Sequence, residues 1–313
     1  MEYRYLGNTP YLVSRFCFGT LTSAPIAASL TAKETGVLIR AALERGVNFI
    51  DTAQYYRNYH HVREGLDSWS GEVIVATKSF ANTYEKMTQA IEEARRALNR
   101  DKIEIFLLHQ VESQADYQSR LPGLECLCDA KAKGLVGAVG LSTHAVAGAW
   151  LAAQKPEIEV LHPMINIDGT GIIDGGRNDM LKAIRSASEN GKGVYAMKVL
   201  AGGGLGGKAR EAIRWAAAEQ SLHALAIGIK TLPQLVTDIG WMSGEEPAEA
   251  ALVELEERVM QVAPYCRGCG KCLSACHQKA IFVKDFRLNW LKEKCVYCGY
   301  CVPACGDFCI TFH

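Results

Sequence analysis

The chain has 313 residues, enough for one large domain or two of ordinary size. Hydrophobic residues make up 49% and charged residues 22%, a globular composition that excludes intrinsic disorder and collagen-like or mucin-like chains. Lys and Arg number 34 against 34 Asp and Glu, so the formal net charge is zero, and without a basic tract the chain gives nucleic acid or an anionic membrane no electrostatic hold. Twelve cysteines do not fit an ordinary enzyme of this length: eight fall between Cys266 and Cys305, and Cys309 follows. Met1 to Gly7 lacks a charged and then apolar leader pattern, and no stretch approaches the roughly 18 apolar residues of a bilayer span. A soluble, cytoplasmic protein is expected, its cysteines being metal ligands and free thiols rather than disulfides.

In chain order, the first expected element is a hairpin, Tyr3 to Leu6 returning over Tyr11 to Val13 around Gly7-Asn8. Eight short apolar runs follow: Arg15 to Gly19, Val47 to Asp51, Val73 to Lys78, Ile103 to His109, Val136 to Ser142, Val160 to Ile165, Gly193 to Lys198 and Ala224 to Ile227. Between them lie segments of helical periodicity, among them Thr35 to Arg45, Tyr84 to Leu98 and Leu121 to Lys133. Strands apolar on both faces, alternating with helices, indicate a parallel α/β architecture. Asp51, Lys78, His109, Ser142 and Lys198 stand at the C-terminal ends of five different runs, a spread that favours a (β/α)8 TIM barrel over an open sheet with one switch point. The hairpin would cap its bottom. The barrel is expected over residues 1–243, a linker over 244–263 in which Ala248 to Val262 forms one acidic helix, and a separate cysteine domain over 264–313.

Cys266-x2-Cys269-x2-Cys272-x3-Cys276 recurs 29 residues later as Cys295-x2-Cys298-x2-Cys301-x3-Cys305, and each set precedes an apolar strand, Ala280 to Val283 and Cys309 to Phe312. This duplication resembles the bacterial two-cluster ferredoxins, in which the fourth cysteine of each run ligates the other cluster. The resemblance implies a small α+β dicluster ferredoxin-like domain with one [4Fe-4S] cluster on Cys266, Cys269, Cys272 and Cys305 and another on Cys295, Cys298, Cys301 and Cys276. The usual proline after the fourth cysteine is His277 in one half and Gly306 in the other. Thiolates at these gaps could also hold zinc, although zinc ribbons separate two Cys-x2-Cys pairs. Cys17, Cys126, Cys128 and Cys309 read as packing thiols.

Asp51-Thr52-Ala53-Gln54-Tyr55-Tyr56, then Lys78 and His109 ending the next two strands, resemble the aldo-keto reductase family. The likeness runs from Tyr3-Arg4-Tyr5-Leu6-Gly7 through Phe18-Gly19-Thr20 and Gly140 to His144 as far as Asp238. It implies a catalytic set of Asp51, Tyr56, Lys78 and His109. A free tyrosine, with a pKa of about 10, is a reluctant proton donor. Lys78, held against Asp51, is expected to lower the pKa of Tyr56, and His109 to orient the carbonyl oxygen. The family pattern after Tyr56 is replaced by Arg57-Asn58-Tyr59-His60-His61, so Arg57 is either a contact for an acidic substrate group or a solvated side chain.

The resemblance also implies a nicotinamide cofactor. Thr20 and Asp51, with Ser142, Thr143 and His162 near the carboxamide, would contact one end. The loop Met197 to Lys208, with Lys198, Val199, Leu200, Gly202 and Lys208, would close over the pyrophosphate. Gly228, Lys230, Gln234 and Asp238 match the adenosine segment, and Lys230 favours NADP(H) over NAD(H). The expected enzyme is therefore an oxidoreductase that reduces an aldehyde or ketone, or oxidises an alcohol. The alternatives are a nicotinamide-binding electron carrier or redox sensor with little turnover, and a Schiff-base aldolase using Lys198 or Lys78. Nicotinamide moves two electrons as hydride while a cluster passes one. Delivery of electrons to the substrate, docking of a redox partner protein and a structural role for the clusters stay open.

Overall fold

Each short apolar run buries one face toward a common axis and the other toward the surrounding helices, and this alternation closes the fold. In the computed structural model, which describes residues 1–24, 30–253 and 258–312, strands β1 (Tyr3–Tyr5) and β2 (Leu12–Ser14) pair as the expected antiparallel hairpin. Then come β3 (Phe16–Gly19), β4 (Phe49–Asp51), β5 (Ile74–Ser79), β6 (Ile103–Leu108), β7 (Val136–Thr143), β8 (Val160–Pro163), β9 (Gly193–Ala196) and β10 (Ala224–Gly228). They form a closed parallel barrel in chain order, with β10 pairing back to β3. All eight expected runs are its strands.

Helices α1 (Ala32–Glu44), α2 (Tyr59–Leu66), α3 (Tyr84–Leu98), α4 (Gln114–Ser119), α5 (Leu121–Ala132), α6 (Val146–Gln154), α7 (Arg177–Glu189), α8 (Ala209–Ala218) and α9 (Leu232–Met242) surround it. The start of α1 is a capping box: the Thr31 hydroxyl accepts from the Glu34 amide and the Glu34 carboxylate accepts from the Thr31 amide. Thr83, Ser113 and Thr231 cap α3, α4 and α9 in the simpler way, each cap stabilising its helix by about 1 kcal/mol.

The core has two layers. Phe16, Phe18, Ile50, Val75 and Phe106 point out to the helices, while Cys17, Phe49, Ala76, Leu107, Val160 and Tyr195 fill the barrel. Leu6, Tyr11 and Val13 join the inner layer, so the hairpin caps the bottom. Gly7 lets it seat: at φ +56° its backbone lies so close to β9 that a Cβ would stand 2.3 Å from the Gly193 nitrogen.

The cysteine module is built from two antiparallel pairs. Strand β12 (Ile281–Lys284) pairs with β13 (Arg287–Trp290), and β11 (Met260–Val262) with β14 (Ile310–Phe312). The single helix expected over Ala248 to Val262 is not formed. Ala248–Leu252 is a short 3-10 stretch, residues 254–257 lie outside the described residues, and Met260–Val262 is a strand. Met260 and Val262 bury alternate side chains beside Ile310, so pairing with the end of the chain overrides the helical reading, and the module begins inside the segment assigned to the linker. No helix among the described residues is long and apolar enough to cross a membrane.

Candidate active site and cluster cages

Inward alternation carries the candidate catalytic residues to one level of the barrel. Asp51 lies two residues after inward-facing Phe49, Lys78 two after Ala76, His109 two after Leu107 and His162 two after Val160. The Lys78 ammonium donates to both Asp51 carboxylate oxygens, at 2.8 and 2.7 Å, and to the Thr52 carbonyl at 2.8 Å. These three bonds use its three hydrogens. Tyr195, which the sequence analysis did not single out, donates its hydroxyl to Asp51 at 2.9 Å.

Tyr56 is buried beside this pair, with the Lys78 nitrogen 5.2 Å from its ring centre. The expected lowering of its pKa does not appear. Burial first, then Asp51 and Cys298, hold Tyr56 well above the usual phenol value, and a hydrogen bond from the Tyr300 side chain works in the opposite direction. His109 meets the Tyr56 ring edge-on at 6.0 Å and stacks on Phe80 at 4.1 Å. Burial first, then the Lys78 charge, keeps His109 neutral, and its Nδ1 is buried without a partner among the described residues.

From Asp51 and Tyr56 a cavity of about 620 Å³ runs along the barrel mouth. It is lined by His162, Lys198, Val199, Leu200 and Gly202, and then by Gly228, Lys230, Gln234 and Asp238. Other expected cofactor residues do not reach it. Thr20, Ser142 and Thr143 are fully buried; the Ser142 hydroxyl accepts from the Gln110 amide at 2.8 Å and Thr143 bonds the Ala145 backbone. Lys208 is exposed beside Asp168, and Arg57 is exposed at the end of the loop. His162 turns inward: its Nδ1 is 2.7 Å from the Tyr195 carbonyl, and burial pushes it down to about 4. Gln234 folds back so that its side-chain oxygen accepts from the Lys230 amide at 2.9 Å. Burial lifts Asp238 to about 7.

The cysteines assemble as the duplication implies, with the fourth of each run crossing over. Cys266, Cys269, Cys272 and Cys305 line one cage, and Cys276, Cys295 and Cys298 face Cys301 in the other. In both halves a backbone amide four residues on donates to the crossed-over sulfur, Ala280 to Cys276 at 3.3 Å and Cys309 to Cys305 at 3.2 Å. Such bonds stabilise thiolates carrying cluster charge. Each cage offers four free thiols, one of them crossing over from the other run and accepting a backbone amide, which is the donor set of a cubane cluster. The residues present fit two cubane clusters. Cys309 also lines the first cage, a place the packing reading did not assign it.

The second cage sits on the barrel mouth. Cys298 packs with Tyr56 and Tyr300, and Val296 with Met164 and Met197. Tyr300 meets Tyr55 at 4.6 Å, and His277, in the usual proline position, stacks on Phe80 at 5.4 Å. Gln278 bonds His144 at 2.9 Å and the Gly171 carbonyl at 2.6 Å. The glycines of the loop after β9 face this module: a Cβ on Gly202 would lie 2.0 Å from the Val296 oxygen, and one on Gly204 2.9 Å from the Tyr297 ring. Tyr300, Phe80 and Tyr297 escaped the sequence reading; the one local signal was His277, a departure from the ferredoxin pattern that the interface explains.

A profile of the Aldo/keto reductase family matches residues 15–253. The chain belongs to that family. A profile of the 4Fe-4S dicluster domain matches residues 258–306, so this aldo-keto reductase carries an iron-sulfur module, as expected. An uncharacterized oxidoreductase, YrpG, of Bacillus subtilis (strain 168) is 24% identical over 233 residues, 67% of this chain and 69% of that protein. L-galactose dehydrogenase of Arabidopsis thaliana is 27% identical over 45% of this chain and 49% of its own length. An aldo-keto reductase from Bacillus halodurans in its holo form superimposes with a TM-score of 0.65 at 18% identity, covering 82% of this chain and 97% of that one, a likeness of fold.

Proposed function

We propose that the protein is an NADP(H)-dependent oxidoreductase that reduces an aldehyde or ketone, or runs in reverse on an alcohol, with a dicluster module for electron transfer. The observation that carries this reading is the convergence of Asp51, Tyr56, Lys78 and His109 at the head of a cavity that continues to Lys198, Gly202, Lys230 and Asp238. A nicotinamide bound there would supply hydride to the carbonyl carbon. The chain's own part is the proton. Tyr56 gives its hydroxyl hydrogen to the substrate oxygen, the Tyr56 O–H bond breaking as the alcohol O–H bond forms. The Tyr300 hydroxyl then donates to the Tyr56 oxygen, a task for which Lys78 has no hydrogen left. Lys78 holds the Asp51 side chain in place, and its charge lies against the Tyr56 ring. With His109 neutral and Nδ1 unpartnered, its proton belongs on Nε2, available to the substrate oxygen. Lys230 and Arg258 on the cavity wall support NADP(H) over NAD(H). Twelve cysteines, all free thiols, support a reducing, cytoplasmic setting.

A second reading, a nicotinamide-binding electron carrier or redox sensor with little carbonyl turnover, draws support from Tyr300 lying over Tyr56. Anaerobic oxidation of NADPH driven by a panel of small aldehydes and ketones separates the two. Turnover in the wild type that disappears in Tyr56→Phe is expected. No turnover with any carbonyl favours the carrier, and wild-type turnover in Tyr56→Phe removes the tyrosine from the chemistry.

A further inference from the structure

Leaving aside the thiolates and iron of the cages, the side-chain charge is uneven along the chain. Residues 264–313 hold seven basic side chains against three acidic ones, and the preceding 263 residues hold 27 against 31. Apolar exposure is uneven too. Phe286 and Phe308, 87% and 80% exposed, are the most exposed large hydrophobic side chains among the described residues, and Tyr265 is 64% exposed. All three stand around the first cage. Tyr265 precedes Cys266, Phe308 lies between cage residues Asp307 and Cys309, and the Phe286 carbonyl carbon is 2.6 Å from where a Cβ on Gly268 would be. Lys271 and the Arg267–Asp307 ion pair line this cage, Lys284 ends the strand leading to Phe286 and exposed Asp285 lies between those two, so Arg267, Lys271 and Lys284 stand against two aspartates.

The two cages also differ in what they face. Cys269 of the first is exposed, whereas Cys298 of the second packs on Tyr56 and Tyr300. Aromatic anchors with a basic rim over an exposed cysteine cage are what an acidic protein surface recognises: the rings are desolvated at the centre, and the surrounding charge steers encounter.

We propose that this outer face, with Phe286, Phe308 and Tyr265 at its centre and Lys271 and Lys284 at its rim, is the docking surface for an acidic one-electron carrier protein. The proposal rests on the electron-transfer module of the reading above and not on its carbonyl chemistry. Each docking event moves one electron and no atoms: the carrier is oxidised by one electron and the thiolate-held site is reduced by one. The first cage is then the entry point and the second the end nearer Tyr56.

The test is anaerobic titration calorimetry of the iron-loaded full chain with an acidic flavodoxin as probe and a basic cytochrome c as control. Flavodoxin binding is expected to weaken as salt rises from about 0.05 M to about 0.3 M. Phe286→Ser with Phe308→Ser, and Lys271→Glu with Lys284→Glu, should each lower the affinity about tenfold or more. Iron content and carbonyl-dependent NADPH oxidation should stay at the wild-type level in Lys284→Glu, which lies outside the cage lining and carries the test by itself if the lysine pair loses iron. Absence of flavodoxin binding, equal binding to both variants, or equally tight binding of the cytochrome overturns the proposal. So does a dimer in sedimentation that the phenylalanine pair dissolves, since the face would then join two copies of this chain. Docking without carbonyl turnover breaks only the carbonyl reading, and turnover without docking only this one.

Discussion

At its lower end the barrel is closed by Leu6, Tyr11 and Val13 from a hairpin a few residues away, with Gly7 pressed on β9. At its upper end it is closed by a second module whose Tyr300, His277 and Val296 rest on Tyr55, Phe80 and Met164. The lower closure is aliphatic and aromatic packing of the kind that stabilises a barrel. The upper one is glycine backbone, stacked rings and buried polar groups, His109 and His144 among them, the latter pushed down to about 3 chiefly by burial. Barrels place chemistry at the C-terminal ends of their strands, and here the capping module shares that edge with the candidate catalytic residues. The cost of burying titratable groups is tolerated where they serve a reaction.

The largest effect is expected at the upper end. Lys78→Met leaves the Asp51 carboxylate buried with Tyr195 as its remaining donor, and removing one partner of a buried pair costs about 3–5 kcal/mol. Carbonyl-dependent NADPH oxidation and the melting temperature should both collapse; retention of either would show that the pair is not what holds the mouth together. Gly7→Ala and Gly202→Ala then set the two closures against each other. Gly7→Ala should destabilise the whole barrel by about 2–4 kcal/mol in denaturant unfolding, because backbone at both sides must shift. Gly202→Ala should instead loosen the module, seen as faster protease cleavage between barrel and module while barrel melting barely changes. Equal loss of barrel stability in both variants would abolish the distinction.

A smaller effect is expected for Tyr300→Phe, which keeps the ring and removes the donor. kcat should fall about tenfold, the value of one hydrogen bond to a charged oxygen, with NADPH affinity by fluorescence and iron content unchanged. Unchanged kcat would confine Tyr300 to packing. The smallest effect concerns pH. Burial raises Asp238 from 3.8 to about 7, so between those values the folded chain holds a proton that the unfolded chain has released. Stability should therefore decline as pH rises from about 4 to about 7 on this account. Asp238→Asn should match the wild type at the acid end and exceed it above neutrality; parallel curves would show that Asp238 is already charged in the fold.

Much of the barrel was legible because strand alternation is a local code. Phe49 and Asp51, Ala76 and Lys78, and Leu107 and His109 share faces by virtue of spacing two apart. The cysteine duplication was legible for a similar reason: a constant offset of 29 pairs each residue with its counterpart. Other assignments failed where local pattern met a distant partner. Ala248 to Val262 has helical periodicity, yet Met260–Val262 pairs with Ile310–Phe312, about fifty residues on. Ser142 and Thr143 carry the right types for a cofactor contact, yet neighbouring backbone groups already use their hydroxyls. The glycines after β9 suggested phosphate approach alone, but Gly202 and Gly204 also make room for Val296 and Tyr297.

By itself the sequence determined that eight buried strands would close, that Asp51, Lys78 and His109 would sit at one end of them, and that eight cysteines would form two cages. These features are set by periods of two and 29 residues, which short stretches of chain encode. That one cage rests on Tyr56 while the other faces outward was decided by the tertiary structure alone. The contacts responsible, Tyr300 on Tyr56, His277 on Phe80 and Val296 against Gly202, join residues about 90 to 245 positions apart, and no local pattern records which distant surfaces will be complementary.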